Sequence, residues 1–181
     1  MKNFDEEGFT LNKVHEIETL EDLSAAHEAL HKLIAKLRVQ SKKAFTKLSK
    51  KLFKTYPELK SFGWTQYTPY FMDGDPCVFY ANTEYFIVNG CNQDGDAPDE
   101  DIKGVDIIAG SYEEHNKWDQ KTRSFIRSKN ELYDPRFEKI IDEISLLLNV
   151  PEDNDYFEWF GDHAFVEITK SGISVSDYDH E

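Results

Sequence analysis

Between Leu20 and Tyr56 the chain runs for 37 residues without a glycine or a proline. Such a stretch has no place to turn, so it must form a long helix. Thr19 followed by Asp22 is a loose capping box, and Glu21 and Asp22 suit the positive end of a helix dipole. Pro57 closes the run, because the residue before a proline is pushed out of helical geometry. Leu20, Leu23, Leu30, Ile34, Leu37, Ser41, Phe45, Leu48, Leu52 and Tyr56 recur at three- and four-residue steps and form one stripe. Lys32, Lys36, Lys43, Lys47, Lys50 and Lys54 lie opposite. At 1.5 Å per residue the rod is about 55 Å long. A narrow stripe of that length seeks another helix, in a coiled coil or a hairpin. Ser41, which interrupts the stripe, marks Arg38 to Ser41 as the place where the rod could break.

Charge divides the chain in the same way. The 181 residues carry a formal net charge of -14. Residues 1–30 contribute -6, residues 31–60 contribute +9 and the remainder -17. Of the 25 aromatic residues, 20 lie after residue 60. A basic arm poor in rings therefore precedes an acidic body rich in them, and that asymmetry predicts an interaction surface. No run reaches the roughly 18 apolar residues of a membrane span, and Asp5, Glu6 and Glu7 interrupt any N-terminal signal region. Cys77 and Cys91 are too few for a disulfide scaffold and form no CxxC pair. A cytoplasmic setting follows as the expectation.

After Pro57 the pattern turns to strands. Phe62 to Phe71, Cys77 to Ala81 and Tyr85 to Val88 read as a three-strand antiparallel meander, with Pro69 placing the first strand at an edge or a bulge. Cys91 to Gly104 is an acidic loop, and Val105 to Ala109 reads as a further short strand. Ser111 with Glu114 is a capping box that predicts a helix running past Trp118, Phe125 and Ile126. Asp134-Pro135 caps a second helix with Phe137, Ile140, Ile141, Ile144, Leu147 and Leu148 on its buried face. Pro151 starts a short acidic helix through Tyr156 to Phe160 that Gly161 closes. A terminal hairpin pairs Ala164, Val166 and Ile168 with Ile173 and Val175. The expected class is α+β: a long coiled-coil-like helix, then an antiparallel sheet packed with two or three helices and a C-terminal hairpin. Its divisions are a flexible segment 1–18, the helix 19–56 and the body 57–181.

Chemistry is sparse. His27-Glu28-Ala29-Leu30-His31 resembles the zincin metalloprotease signature, in which two histidines one helical turn apart share a zinc ion. The resemblance implies His27 and His31 as ligands and Glu28 as general base, but Lys32 departs from the wider signature and no third ligand is indicated. No cofactor is expected from the residues themselves, with zinc the alternative. Asn92 to Asp101 fails the EF-hand spacing, because Gly95 falls fourth rather than sixth. Asp73, Asp75 and Cys77 surround a turn without an adjacent histidine, and no nucleophile elbow, P-loop or dinucleotide fingerprint occurs. The lysines of residues 31–60 are a footprint for phosphate backbones, although aromatic side chains are not interleaved with them.

The block Phe62 to Cys77 (FGWTQYTPYFMDGDPC), with Phe160-Gly161-Asp162-His163 and Tyr178-Asp179-His180, resembles small accessory proteins of bacteriophages and bacteria. That resemblance implies binding and disabling a host or defence protein and transfers no catalytic residue. The leading expectation is thus a non-enzymatic protein-binding protein. Leu23, Leu30, Ile34, Leu37, Phe45, Leu48 and Leu52 would contact a partner or a second copy. Asp94, Asp96, Asp99, Glu100, Asp101, Glu152, Asp153, Asp155 and Glu158 would steer toward a basic protein surface. Nucleic acid on the basic helix and a zinc hydrolase are the alternatives. No membrane partner is expected.

Overall fold

The computed structural model describes residues 18–71, 73–91 and 106–179. The segment 1–17 and most of the acidic loop, with Asp94, Asp96, Asp99, Glu100 and Asp101, lie outside the described residues. Two compact units divide between Phe45 and Thr46. That division falls inside the first helix, α1 (Leu20–Thr55), which is unbroken at Arg38 to Ser41. Thr19 caps α1 as its sequence predicts, its Oγ1 accepting the Asp22 N–H at 3.1 Å.

The second unit is built on a five-stranded antiparallel sheet. Its strands are β1 (Ser61–Tyr67), β2 (Tyr80–Ala81), β3 (Ile87–Val88), β6 (Ala164–Thr169) and β7 (Ile173–Asp177), in the order β2-β1-β6-β7 with β3 also on β1. The register pairs Trp64 with Val166 and Gln66 with Ala164, and Val166 in turn with Val175. The terminal hairpin is therefore as the alternation predicts. The meander is not. β1 ends at Tyr67, before Pro69, and pairs on both sides, so it is a central strand. β2 and β3 each bond to β1 at different ends, Gln66 opposite Ala81 and Gly63 opposite Ile87. Gly63 is required there: a Cβ would lie 2.5 Å from the Val166 carbonyl oxygen.

Period-two alternation turns Phe62, Trp64, Gln66, Ala164, Val166 and Ile168 into one buried face. Phe53, in the last turns of α1, stacks on Phe62 at 5.7 Å. Tyr156 and Phe160 of α3 (Asp153–Phe160) meet the Trp64 ring edge-to-face at 5.2 and 5.6 Å. Burying Gln66 is tolerable only because its amide is satisfied. Trp64 Nε1 donates to Gln66 Oε1 at 3.0 Å, and Gln66 Nε2 donates to the carbonyls of Tyr156 and Gly161. Gly161 accepts this role with φ 86, where a side chain would be strained.

The helix α2 (Pro135–Leu148) starts at the expected N-cap, Asp134, and buries Ile140, Ile144, Leu147 and Leu148. It is tied to its neighbours at its middle and its C-terminal end. Tyr156 Oη donates to the Leu148 carbonyl at 2.6 Å, and Tyr56 Oη donates to Glu143 at 2.7 Å. Burial and the Glu143 carboxylate push the Tyr56 hydroxyl up to about 12.

Two expected elements are replaced. Ile107 and Ile108, expected in a strand, are buried within a turn. The helix expected from Ser111 is instead a two-stranded hairpin, β4 (Glu114–Asp119) and β5 (Ser124–Lys129). The Ser111 hydroxyl donates to the Ile108 carbonyl at 2.8 Å, so it caps nothing. Asp119 makes the turn: its carboxylate accepts from Thr122 Oγ1 at 2.7 Å and from the Lys121 N–H at 3.2 Å, and Arg123 takes φ 49. Those bonds, led by the one from Thr122, hold the Asp119 carboxyl below its ordinary range. Asn130 anchors the hairpin's base, its Nδ2 donating to the carbonyls of Ala109 and Tyr112.

Candidate functional site

The sequence puts its candidate partner residues on α1, and the structure sorts them into two groups. Phe45, Leu52 and Tyr56 are buried. Leu23 is 53% exposed, Leu30 and Ile34 37% each, Leu37 54% and Leu48 49%. In the first unit the helix does bury a face, at Asp22, Ala26 and Ala29, but it is the neighbouring one. The leucines form a separate row. Leu23, Leu30, Leu37 and Ala44 are seven residues apart, as are Leu20, His27, Ile34 and Ser41. Those are the two positions of a heptad seam, and they stay in line over the whole of Leu20–Ala44.

In the second unit Leu48 and Leu52 line a groove of about 280 Å³ with Thr55, Leu146, Leu147 and Val150. Leu146 and Val150 are mostly exposed there, and Lys51 and Glu143 supply its polar edge.

The acidic residues of α3 have structural work. The Glu152 side chain and the Asp155 side chain form a reciprocal capping box, and Asp153 accepts the Ala81 N–H at 2.9 Å. They tie the helix start to β2, leaving Glu158 exposed beyond them.

His27 and His31 are brought together as their spacing dictates, with Nε2 atoms 2.8 Å apart and rings edge-to-face at 4.3 Å. Glu28 turns to Lys32 at 2.8 Å, and that contact lowers its carboxyl from the ordinary range. Among the described residues no group of three or more His, Cys, Asp or Glu side chains could hold a metal ion. Cys77 is exposed and Cys91 buried. Burial pushes the Cys91 thiol up, away from the thiolate that nucleophilic chemistry requires.

Four separated stretches of the sequence meet at one end of the sheet. The Thr68 N–H and hydroxyl donate to Asp162 at 2.7 and 2.8 Å, Tyr70 stacks on His163 at 4.8 Å, and Tyr67 packs on Tyr80 and Tyr178 at 4.8 and 5.6 Å. Burial alone would push the Asp162 carboxyl up, but the bonds from Thr68 and His163 outweigh it and hold it low. Tyr80 donates to the Tyr67 hydroxyl, and burial followed by that bond raises its own. The arrangement is a joint between the ends of β1, β2, α3 and β7.

The sequence reading missed the exposed rings of the β4–β5 hairpin, Trp118 and Phe125, by placing them on a helix. The alternation of polar and apolar residues on either side of the Asp119 turn is the signal that finds them.

No protein-family model, curated protein or solved structure matches this chain. Among the described residues no helix is long and apolar enough to cross a membrane.

Proposed function

We propose that this protein is a non-enzymatic binding protein that assembles with a second copy of itself through the seam of α1. The observation that carries the reading is the exposure of Leu23, Leu30, Ile34 and Leu37 on a helix that buries the face beside them. An apolar side chain left in water forgoes roughly 1.5–3 kcal/mol of burial, so four in line make a surface that gains by being covered. The seam runs for more than three heptads, the length at which a pair of helices becomes stable.

Charge selects a second copy, and an antiparallel one. Within the seam, Leu20 to Leu30 carries Glu21, Asp22 and Glu28, whereas Ile34 to Ala44 carries Lys36, Arg38, Lys42 and Lys43. Parallel pairing would set the lysine-rich halves side by side, whereas antiparallel pairing sets each against the other copy's acidic half. Centred between Leu30 and Ile34, it brings Glu21 of one copy toward Lys43 of the other, and Glu28 toward Lys36. Exposed ion pairs are weak, so they set direction while the leucines supply strength. His27 and Ser41 are polar positions within the seam, and such positions fix register at some cost in stability. A two-fold axis through the helix makes the patch complementary to itself.

Light scattering across about a hundredfold range of protein concentration tests this. The expected mass is twice the 21.1 kDa of one chain at the upper end. Leu30→Glu and Ile34→Glu should each give the single-chain mass, with Lys50→Gln as a control that leaves assembly intact. A single-chain mass for the wild-type protein throughout the range would reject the proposal.

A further inference from the structure

The β4–β5 hairpin lies outside the five-stranded sheet, and the side chains of β5 are exposed except for the half-buried Ser128. Directly opposed residues of an antiparallel pair share a face, and alternate residues along each strand share it too. One face of the hairpin therefore carries Glu114, Asn116 and Trp118 from β4 with Lys129, Arg127 and Phe125 from β5. Trp118 is 50% and Phe125 69% exposed, and their rings stand 5.1 Å apart at 69°. Two large rings uncovered beside each other mark a binding surface rather than a gap in the core.

The charge of this element is opposite to that of the body around it. Residues 120–129 hold Lys121, Arg123, Arg127 and Lys129 and no acid, whereas the chain after residue 60 carries -17. The Asp119 carboxylate accepts from the Lys121 N–H and the Thr122 hydroxyl in the turn it forms. Arg127 reaches Glu114 only at 3.8 Å, with both side chains mostly exposed, so the guanidinium is not neutralised in any lasting way.

A pair of opposed rings, with Arg127 and Lys129 in the rows beyond it on one side and Lys121 and Arg123 in the turn on the other, matches the needs of a single nucleic-acid strand, whose bases offer flat faces and whose phosphates repeat beside them. A duplex hides those faces inside its stack. A bilayer would require an apolar tip, but the tip here is Asp119 to Ser124, polar throughout and bonded to itself. The lysines of α1 lack interleaved rings, so the two basic regions differ in kind.

We propose that the β4–β5 hairpin is a binding finger for single-stranded nucleic acid. Trp118 and Phe125 stack on bases, and Lys121, Arg123, Arg127 and Lys129 follow the phosphates. This site is independent of the α1 seam.

Fluorescence anisotropy of a labelled oligothymidylate and a labelled oligouridylate, titrated with the full chain at low salt (about 50 mM), tests it. Binding to either strand with quenching of tryptophan emission is expected, weakening steeply as salt rises. Trp118→Ala and Phe125→Ala should each weaken it by about tenfold or more. The double variant Arg127→Gln/Lys129→Gln should weaken it similarly and flatten the salt dependence. All these side chains are exposed, so an unchanged circular dichroism spectrum separates lost binding from lost folding. Lys43→Gln/Lys47→Gln on α1 should leave binding unaltered. No binding at low salt would overturn the proposal. So would equal binding to duplex DNA, to phosphatidylserine vesicles or to polyglutamate, or loss confined to the α1 variant.

Discussion

α1 and α2 are both amphipathic helices with isoleucine and leucine at three- and four-residue steps, yet the chain treats their stripes in opposite ways. In α2 the stripe of Ile140, Ile144, Leu147 and Leu148 is buried within its own unit. In α1 the row Leu23, Leu30, Ile34 and Leu37 is open to water. The difference does not lie in the stripes themselves. α2 is held in place by two tyrosines, Tyr56 on Glu143 in its middle and Tyr156 on the Leu148 carbonyl at its end, so its apolar face has a fixed neighbour. The described part of the first unit, residues 18–45, is helix from Leu20 onward. Its buried positions before Phe45, namely Asp22, Ala26 and Ala29, are small or polar, while Leu23, Leu30, Ile34 and Leu37 stay outside. An amphipathic pattern thus announces that a face will be covered without saying whether its own chain covers it.

Two isoleucines make the comparison quantitative. Ile144→Ala should cost about 2–5 kcal/mol of unfolding free energy, because it empties a closed site. Ile34→Ala should cost less than that in the single chain, since Ile34 is partly exposed already whereas Ile144 is enclosed. Chemical denaturation of both at low protein concentration checks this, and equal losses would erase the distinction. Next in size is the effect on assembly: Ile34→Glu should raise the dimer dissociation constant at least tenfold, read by sedimentation velocity, with the denaturation midpoint of the second unit unaltered.

The caps give a smaller contrast. Asp134→Ala removes the acceptor for the Arg136 N–H at the start of α2 and should lower the thermal midpoint by a few degrees. Thr19→Ala should fray only the first turn of α1, seen as faster amide exchange near Asp22 with the midpoint unmoved. Smallest is a pH effect on the α2 anchor. Tyr56 holds its proton more tightly folded, to about 12, than unfolded, near 10. Its contribution is therefore complete below pH 10 and is lost as pH rises from about 10 to about 12. Tyr56→Phe should remove that part of the alkaline decline, measured as denaturation midpoint against pH.

Elements with local signals were legible in the sequence. Asp134-Pro135 places α2, Gly161 closes α3 and the Lys170 to Gly172 turn places the β6–β7 hairpin, each through residues adjacent to what they specify. The losses came where a local signal met a distant partner. Ser111 and Glu114 have capping-box spacing, but Ser111 hydroxyl bonds back to Ile108, and Asp119 with Arg123 builds a turn that the alternating strands require. β2 and β3 are two residues each and depend on β1 across the sheet, so their apparent succession suggested a meander that does not form. For the candidate site, the spacing of the α1 leucines could be read directly. Their exposure could not, because it depends on which face a neighbour covers. Glu152, Asp153 and Asp155 read in sequence as acidic charge that steers toward a partner, and the fold adds that they also cap α3 and anchor β2.

Hydrogen exchange across α1, followed as a function of protein concentration, addresses the central claim most directly. Amides from Leu20 to Ala44 should become more protected as concentration rises, while α2 stays equally protected throughout. Ile34→Glu should abolish the rise. Protection of Leu20 to Ala44 that is independent of concentration would contradict the claim that a second copy covers the seam.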